Sequence, residues 1–520
     1  MRILLLYPLF PKSFWSFEKT LALVDCKALL PPLGMITVAA ILPQEWEYRL
    51  VDHNVREITE SDWDWAELVI ISGMIVQKND MLAQIAEAKS RNKLVAVGGP
   101  YATTSPQEVE AADFLILDEG EITLPMFVAA IERGDRSGVF RATEKPAVTE
   151  TPIPRYDLLD LNAYDNMSVQ FSRGCPFQCE FCDIIVLYGR KPRTKTPEQL
   201  LAELQYIYDL GWRGAVFMVD DNFIGNKRNV KLLLKELKVW MQEKEYPFGL
   251  TTEASVDLAQ DEGLMQLMVE CNFKKVLLGI ETPDQDSLAL TNKFQNTRDP
   301  LIESINKITT TGMQVMAGFI IGFDGEKAGA GDRIVQFVEQ TGIPMAMFSM
   351  LQALPGTALW DRLEKEGRLV KGSSANINQT TLMNFVPTRD IEQIATEYVE
   401  AFSELYDPTN YLNRIFRYYM MLGGVKNGKS QRPGWKSIRA LCMILWKQGV
   451  VAPTRFLFLK NLIQVLAKKP DKLEIYLTLC AYLEHFIEYR SIVREQINIQ
   501  LANYIASKPK SEPEPEKVAS

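Results

Sequence analysis

The first third of the chain alternates two apolar rhythms. Residues 2–7 (RILLLY), 48–52, 68–72, 94–97 and 114–117 are short, β-rich runs with little polar interruption, while 34–42 and 79–90 space their apolar residues at helical intervals. Runs of that kind are strands buried on both faces. Their alternation with helices predicts a parallel, doubly wound α/β sheet whose ligand crevice lies outside the carboxyl ends of the strands. The residues just after those ends are Pro8, Asp52-His53-Asn54, Ser72-Gly73-Met74, Gly98-Gly99-Pro100 and Asp118-Glu119-Gly120-Glu121. Paired glycines there let backbone approach a flat or bulky ligand, and they serve equally well in a tight strand-to-helix turn.

The rhythm pauses over 141–165, where Pro146, Pro152 and Pro154 mark a linker. It restarts at Ser168, with strands expected at 168–172, 214–219, 249–253, 275–281, 314–321 and 344–351 separated by helical stretches. Six such repeats predict a (βα)6 partial barrel with its chemistry at the carboxyl ends of the strands. Beyond about residue 375 the pattern turns helical, over 391–406, 433–450, 454–467 and 473–506. The closing SKPKSEPEPEKVAS is too poor in apolar residues to order itself. The expected division is 1–140, a linker 141–165, 166–375, a helical domain 376–506 and a disordered tail 507–520.

Composition agrees with that division. The 520 residues are 47% hydrophobic and 10% aromatic, enough for about three cored domains. The opening MRILLLYPLF leads into Pro11-Lys12 without a small-residue cleavage site and reads as a first buried strand. No run of eighteen uncharged apolar residues occurs, so no membrane-spanning helix is expected. The net charge is −9, yet residues 411–470 hold twelve Lys or Arg and no Asp or Glu. That stretch also carries Tyr418, Tyr419, Met420, Met421, Trp435, Trp446, Phe456 and Phe458. Such a mixture suits a surface lying on anionic lipid, or a solvated basic face packed by ordinary core aromatics. No nucleic-acid partner is expected.

Three cysteines fall within eight residues, in Arg173-Gly174-Cys175-Pro176-Phe177-Gln178-Cys179-Glu180-Phe181-Cys182-Asp183. The C-x3-C-x2-C spacing puts three thiolates on one loop, enough for three irons of a [4Fe-4S] cluster whose usual set is four. The fourth iron stays open, and an open position is what separates a catalytic metal from a structural one. A zinc knuckle short of a ligand and three buried core cysteines are the alternatives. Neither fits well, because no fourth Cys or His lies within the next eighty residues and the loop is rich in Gly, Pro, Gln and Glu. Seven cysteines without disulfide-like clustering, and an oxygen-sensitive cluster, lead us to expect a reducing, cytoplasmic setting.

The cysteine loop resembles that of the radical S-adenosylmethionine (SAM) superfamily, in which the methionine end of SAM fills the open iron position. The resemblance implies roles for the strand ends. Phe181 would meet the adenine; Asp220, Asp221 and Asn222 would bind the methionyl amino group, where a carboxylate suits an ammonium. Glu253 and Glu281 would touch SAM ribose or amino groups, and Gly318 would leave room for the adenosine. Taken alone, each acid equally well caps the helix that follows it.

A flavodoxin-like domain ahead of the loop narrows the resemblance to the cobalamin-dependent (class B) radical SAM family, of the hopanoid C-2 methylase type. Pro31-Pro32-Leu33-Gly34, the Gly98-Gly99-Pro100 turn and the Gly120-Glu121 turn match its pattern. It implies cobalamin contacts at Ser72, Gly73, Gly98, Gly99, Gly120 and Glu121. The D-x-H-x-x-G loop of many cobalamin proteins is missing: His53 follows Asp52 directly and comes after the second strand. Cobalt is therefore expected to lack a protein imidazole, and His485, on a helical pattern, is expected to be structural. The first domain holds Cys26 alone, which argues against methylthiotransferases, whose first domain supplies three. Cys26 and Cys271 read as buried small hydrophobes or as catalytic thiols.

The activity implied is C-methylation. The cluster reduces SAM to a 5′-deoxyadenosyl radical that takes hydrogen from an unactivated carbon, methylcobalamin supplies the methyl, and a second SAM restores it. Implied partners are a small-molecule or lipid substrate and an electron donor such as flavodoxin or ferredoxin, with peripheral contact at the inner face of the membrane. A cobalamin-dependent radical cyclase or rearrangement enzyme would share every motif. A non-catalytic cobalamin- or SAM-binding regulator would have no use for the three-cysteine loop.

Overall fold

Ile3, Leu4, Leu5 and Leu6 have no solvent exposure, as a central parallel strand requires. They lie in β1 (Arg2–Tyr7) of a computed structural model that describes residues 1–370, 375–424 and 434–507. β2 (Glu47–Asp52), β3 (Leu68–Ser72), β4 (Leu94–Gly98), β5 (Phe114–Ile116) and β6 (Gly138–Phe140) join it in parallel, in the order β2-β1-β3-β4-β5-β6. Winding reverses beside β1, which opens the crevice at the carboxyl ends. Met35, Ala39, Leu124 and Phe127 pack on one face and Trp63, Met81, Ile85 and Tyr101 on the other, so the sheet is doubly wound as expected. β6 escaped the sequence reading because three residues at a sheet edge carry no period.

Segment 141–165 is held down along its length. The Tyr156 hydroxyl donates to the Ser168 carbonyl at 2.8 Å and that of Tyr164 to Asp52 Oδ2 at 3.0 Å. The segment 8–32, between β1 and the helix Leu33–Ile41, is tied to the first domain at its start, where the Leu9 and Phe10 N–H groups donate to Asp80 and Asn54, and then reaches the other two. The Trp15 indole N–H meets the Met347 sulfur at 3.3 Å, and Phe17 stacks on Tyr482 with centroids 4.2 Å apart.

The second sheet begins with β7 (Asn166–Val169). The single strand expected over 168–172 is two, because the N–H groups of Phe171 and Ser172 go to the Asp220 carboxylate instead of a neighbouring strand. β8 (Ser172–Arg173) then pairs antiparallel with β9 (Arg193–Thr194). β10 (Ala215–Met218), β11 (Gly249–Ala254), β12 (Phe273–Glu281), β13 (Gln314–Ile321) and β14 (Met345–Met350) complete six parallel strands in the order β14-β13-β12-β11-β10-β7. This is the expected partial barrel. Along β11 burial alternates, with Leu250, Thr252 and Ala254 packed outward and Gly249, Thr251 and Glu253 facing the lumen.

The open edge at β14 is closed by the C-terminal helices. The Tyr406 hydroxyl accepts the Ala346 N–H at 3.1 Å and donates to the Ala346 carbonyl at 2.8 Å, removing an exposed ladder. The helices are Ile391–Leu405, Pro408–Met421, Trp435–Trp446, Arg455–Lys468 and Leu473–Ser507. The second was not expected, although Asp407 caps it and Pro408 opens it. Among the aromatics expected on a lipid-facing surface, Tyr418, Tyr419 and Phe458 are instead buried in this bundle. The Tyr418 hydroxyl accepts the Val315 N–H of β13 at 2.6 Å and Tyr419 and Phe458 pack in the core, whereas Trp435, Trp446 and Phe456 stand in solvent. The expected tail, from residue 508 on, lies outside the described residues.

Candidate active site

The cysteine loop is shaped by Gly174, whose φ of +92° turns the chain so that a Cβ would meet the Gly189 carbonyl at 2.8 Å and that of Lys191 at 3.0 Å. Only glycine permits so close a return. The Cys175 N–H donates to the Gly189 carbonyl at 3.3 Å and the Cys182 N–H to the Cys179 carbonyl at 3.2 Å. All three thiols are free, Cys179 buried and the others half-buried. Side-chain amides address two sulfurs: Asn222 Nδ2 lies 3.8 Å from Cys175 and Gln295 Nε2 3.7 Å from Cys179. Donors of this kind tune iron–sulfur clusters. Burial pushes the Cys175 and Cys182 thiols up, so their ionisation calls for the charge of bound iron. Among the described residues no three ligating side chains converge on a single-ion site, whereas a cluster asks for one thiolate per iron. The donors fit a [4Fe-4S] cluster with one iron left open.

The three residues after β10 have separate tasks. Asp220 is fully buried and accepts the Phe171 and Ser172 N–H groups, which fixes β8; burial raises its pKa to about 6. Asn222 bridges Cys175 and the Ser255 hydroxyl, the latter at 3.2 Å. Asp221 has a buried Oδ2 with no partner, and burial, then Asp220 and Asp183, push its pKa to about 7. Glu253, inward-facing on β11, is pushed to about 8 by burial and then by Asp221 and Asp220. Two crowded acids with an orphaned oxygen lack a cation, which an ammonium would supply. Glu281 differs: it turns back at φ +66° and Lys293 takes its carboxylate. Lys293 Nζ also sits 5.8 Å over the Phe181 ring, which packs on Phe323. At Gly318 a Cβ would touch only Met347, at an ordinary 3.6 Å, so the glycine leaves open lumen rather than relieving a clash. The set fits SAM.

Across from the loop stand the ends of β3 to β5. A Cβ on Gly99 (φ +87°) would strike the Ser72 hydroxyl, one on Gly98 the Ile116 carbonyl at 2.9 Å, and one on Gly120 the Leu124 side chain at 2.8 Å. Gly99 thus packs on Ser72 and the buried Gly73, Gly98 on the Ile116 backbone and Gly120 on Leu124, and these close approaches leave the crevice edge largely bare backbone. Glu121 turns away from it. Its carboxylate takes Arg173 and the Thr151 hydroxyl, while Glu119 takes both Arg173 and Arg193. The first domain is thereby pinned to the strand that carries the cysteines.

His53 Nδ1 lies 3.0 Å from Asp80 and Nε2 2.7 Å from Glu57, so both nitrogens are engaged. Burial lowers its pKa, but those hydrogen bonds outweigh it and the net shift is upward. The donors fit a cobalamin without a protein imidazole. His485 is structural: its Nε2 meets the Phe14 carbonyl at 3.1 Å and burial lowers its pKa to about 4. Cys26 and Cys271 donate to the carbonyls of Tyr164 and Leu234, at 3.4 and 3.1 Å. Lys293, Gln295 and the Arg173 network were not found from the sequence. Thr291-Asn292-Lys293 reads as an ordinary polar turn, and pairing across 52 residues leaves no local signal.

Three families match the chain in succession: B12 binding domain over residues 20–128, the radical SAM superfamily over 169–338, and a domain of unknown function over 357–499. An uncharacterised methyltransferase of Synechocystis sp. is 65% identical over 509 residues, 97% of this chain and 95% of its own length. The hopanoid C-2 methylase of Rhodopseudomonas palustris is 38% identical over 418 residues, 79% of this chain and 78% of its own. The radical SAM methyltransferase TsrM from Kitasatospora setae, solved with cobalamin and a [4Fe-4S] cluster bound, shares the fold with a TM-score of 0.57 at 14% identity, over 96% of this chain and 99% of that one. With the two domain families in succession and these identities over most of the relatives' length, the chain belongs to the cobalamin-dependent radical SAM family as one of its methyltransferases.

Proposed function

We propose that this enzyme methylates an unactivated carbon of an apolar, polycyclic or isoprenoid-like lipid. The observation that carries the reading is the 38% identity to a hopanoid C-2 methylase across 79% of the chain. A cytoplasmic enzyme in peripheral contact with the inner face of the membrane, reduced by a flavodoxin- or ferredoxin-like donor, accords with it.

Bound together, the cluster and SAM supply a primary carbon radical and cobalamin supplies the methyl group. The protein's residues bind and position. Cys175, Cys179 and Cys182 would each hold one iron, with Asn222 and Gln295 donating to the sulfurs. Asp221 and Glu253 would accept the SAM ammonium, Phe181 would pack on the adenine and Gly318 would clear its path. Asp220 serves by holding β8 in place, and Glu281 by fixing Lys293 beside the cysteine loop. Ser72, Gly73, Gly98, Gly99 and Gly120 would floor the cobalamin crevice. Glu119 and Glu121 would act at one remove, since their hold on Arg173 sets the distance between the two cofactor sites.

The test is mass spectrometry of lipid extracts from cells with and without the protein, alongside products of the reconstituted enzyme. A lipid heavier by one methyl, formed with both 5′-deoxyadenosine and S-adenosylhomocysteine, is the expected result. 5′-Deoxyadenosine without S-adenosylhomocysteine would identify a cyclase or rearrangement enzyme instead. SAM bound but not cleaved would identify a regulator.

A further inference from the structure

The helices Trp435–Trp446 and Arg455–Lys468 are amphipathic the wrong way round for a soluble bundle. The first buries Ala440 and Ile444 and turns Trp435 (78% exposed) and Trp446 (62%) outward. The second buries Phe458, Asn461 and Val465 and turns Phe456 (74%) and Ile463 (65%) outward. Val450 and Val451, in the turn between them, are likewise exposed. Of the four Phe or Trp side chains among the large exposed hydrophobics, Phe294, Trp435, Trp446 and Phe456, three lie here. The turn is a π-helix, Lys447–Val451, held to the long last helix where Lys447 donates to Glu484 at 2.6 Å. A rigid exposed apolar patch of this kind marks a contact surface.

Charge decides what it contacts. No acid occurs from 411 to 470, but the structure shows that not all of the basic groups are free to face outward. Arg414 and Arg417 pair with Glu339, Arg439 with Asp25 and Lys447 with Glu484. Lys460 and Lys468 stand exposed on the second helix, and Arg455 lies 4.8 Å over the Phe456 ring. Lys426, Lys429 and Arg432 fall outside the described residues. Apolar rings with basic groups beside them, and with the neighbouring acids Asp25 and Glu484 already paired to Arg439 and Lys447, match the headgroup region of an anionic bilayer. A second copy paired about a two-fold axis would bring the same basic groups face to face.

We infer that the outward faces of these two helices and the turn between them seat the enzyme on an anionic lipid bilayer. This deepens the lipid reading above by naming the surface that meets the membrane. The placement is apt. The Trp435–Trp446 helix rests on residues 22–25 through Arg439, which donates to the Leu23 carbonyl at 3.1 Å. The same loop carries Trp15 to Met347 on β14, beside the open space at Gly318. One continuous segment thus links the bilayer surface to the barrel lumen.

The test is flotation of the full-length protein with vesicles of phosphatidylglycerol and phosphatidylcholine, and with phosphatidylcholine alone. Two double variants, Trp446→Ser/Phe456→Ser and Lys460→Glu/Lys468→Glu, change only exposed side chains. Wild type should float with the anionic vesicles, with a blue shift of indole emission, and each variant at least roughly tenfold less. Failure of wild type to float, or equal flotation of either variant, overturns the proposal. So does a wild-type dimer that Trp446→Ser/Phe456→Ser turns into monomer, since the patch would then be an interface between copies. The scoring needs no turnover, so it separates from the substrate reading. Flotation without a methylated lipid in cells would sink the substrate and leave the surface standing, and the reverse outcome would do the opposite.

Discussion

The barrel mouth and the C-terminal helix pair depart from the usual sorting of polar and apolar groups in opposite directions. At the mouth, Asp221 and Glu253 are carboxyls crowded among protein atoms, and Asp221 keeps an oxygen without a partner. On the helix pair, Trp435, Trp446 and Phe456 are large rings left in water. An uncompensated buried carboxylate costs several kcal/mol, and an exposed ring forgoes about 25 cal/mol for each Å² it fails to bury. Neither arrangement helps the fold, so each is imposed by the surrounding structure. What relieves each is also opposite: a cation at the mouth, an apolar phase at the helices. The two regions therefore point to two different ligands.

The harshest test of the mouth removes the cluster ligands. Cys175→Ala, Cys179→Ala and Cys182→Ala together should lower iron content from about four per chain to none and abolish 5′-deoxyadenosine formation. The first domain should stay folded, because its core shares no residue with the loop. Residual 5′-deoxyadenosine above the no-enzyme control would end the cluster assignment.

Next in size comes the paired charge. Arg173 is almost wholly enclosed and held by Glu119 and Glu121, so Arg173→Met strands the Glu121 carboxylate while Glu119 keeps Arg193. The loss should be about 3–5 kcal/mol, read as a lowered thermal midpoint. Adding Glu121→Gln should restore part of it, because the stranded charge is gone, whereas Glu119 must stay to hold Arg193. No recovery in the double variant would mean that packing, rather than pairing, accounts for the loss.

The unpaired acids should behave differently. Removing a charge-assisted hydrogen bond costs roughly 1.5–3 kcal/mol, so Asp221→Asn and Glu253→Gln should each weaken SAM binding about 10- to 150-fold by equilibrium dialysis. Stability should move the other way. A carboxyl whose folded pKa lies above its unfolded one opposes folding once pH passes the unfolded value, and for these two that means pH above about 4. At pH 8 and without SAM, both variants should melt above wild type. If they melt lower and bind SAM unchanged, these acids support the fold as Asp220 does.

The contrast between regions also governs what could be read in advance. Strands buried on both faces, such as Ile3 to Leu6, write themselves as apolar runs, and C-x3-C-x2-C is local. Helical period located the Trp435–Trp446 and Arg455–Lys468 helices, but period alone does not say which stripe faces in. Tyr418 and Phe458 went inside while Trp446 and Phe456 stayed out. Likewise four strand-end acids looked alike in sequence. What separates Asp220, bound to backbone, and Glu281, bound to Lys293, from Asp221 and Glu253 is three-dimensional pairing. The loop 8–32 was unreadable for a related reason: its partners, Met347 and Tyr482, lie more than 300 residues away.

The smallest expected effect concerns His53, which tests whether pairing empties a candidate ligand of function. With Nδ1 at Asp80 and Nε2 at Glu57, neither nitrogen is available to cobalt, so His53→Ala should leave the absorption and electron-resonance spectra of bound cobalamin unchanged. Nitrogen hyperfine coupling present in wild type and lost in the variant would show an imidazole ligand after all. The stability change should be no more than about 1 kcal/mol, because Glu57 is largely in solvent and surface pairs contribute little. Its pH dependence has a definite sign. The folded pKa of His53 is raised, so its contribution is complete below the unfolded value near 6.5 and fades as pH rises through the folded value. The gap in melting temperature between wild type and His53→Ala should therefore be widest below about pH 6.5 and shrink as pH rises above it. A gap that widens with pH would mean that the imidazole is neutral in the fold and that Asp80 and Glu57 do not hold its proton.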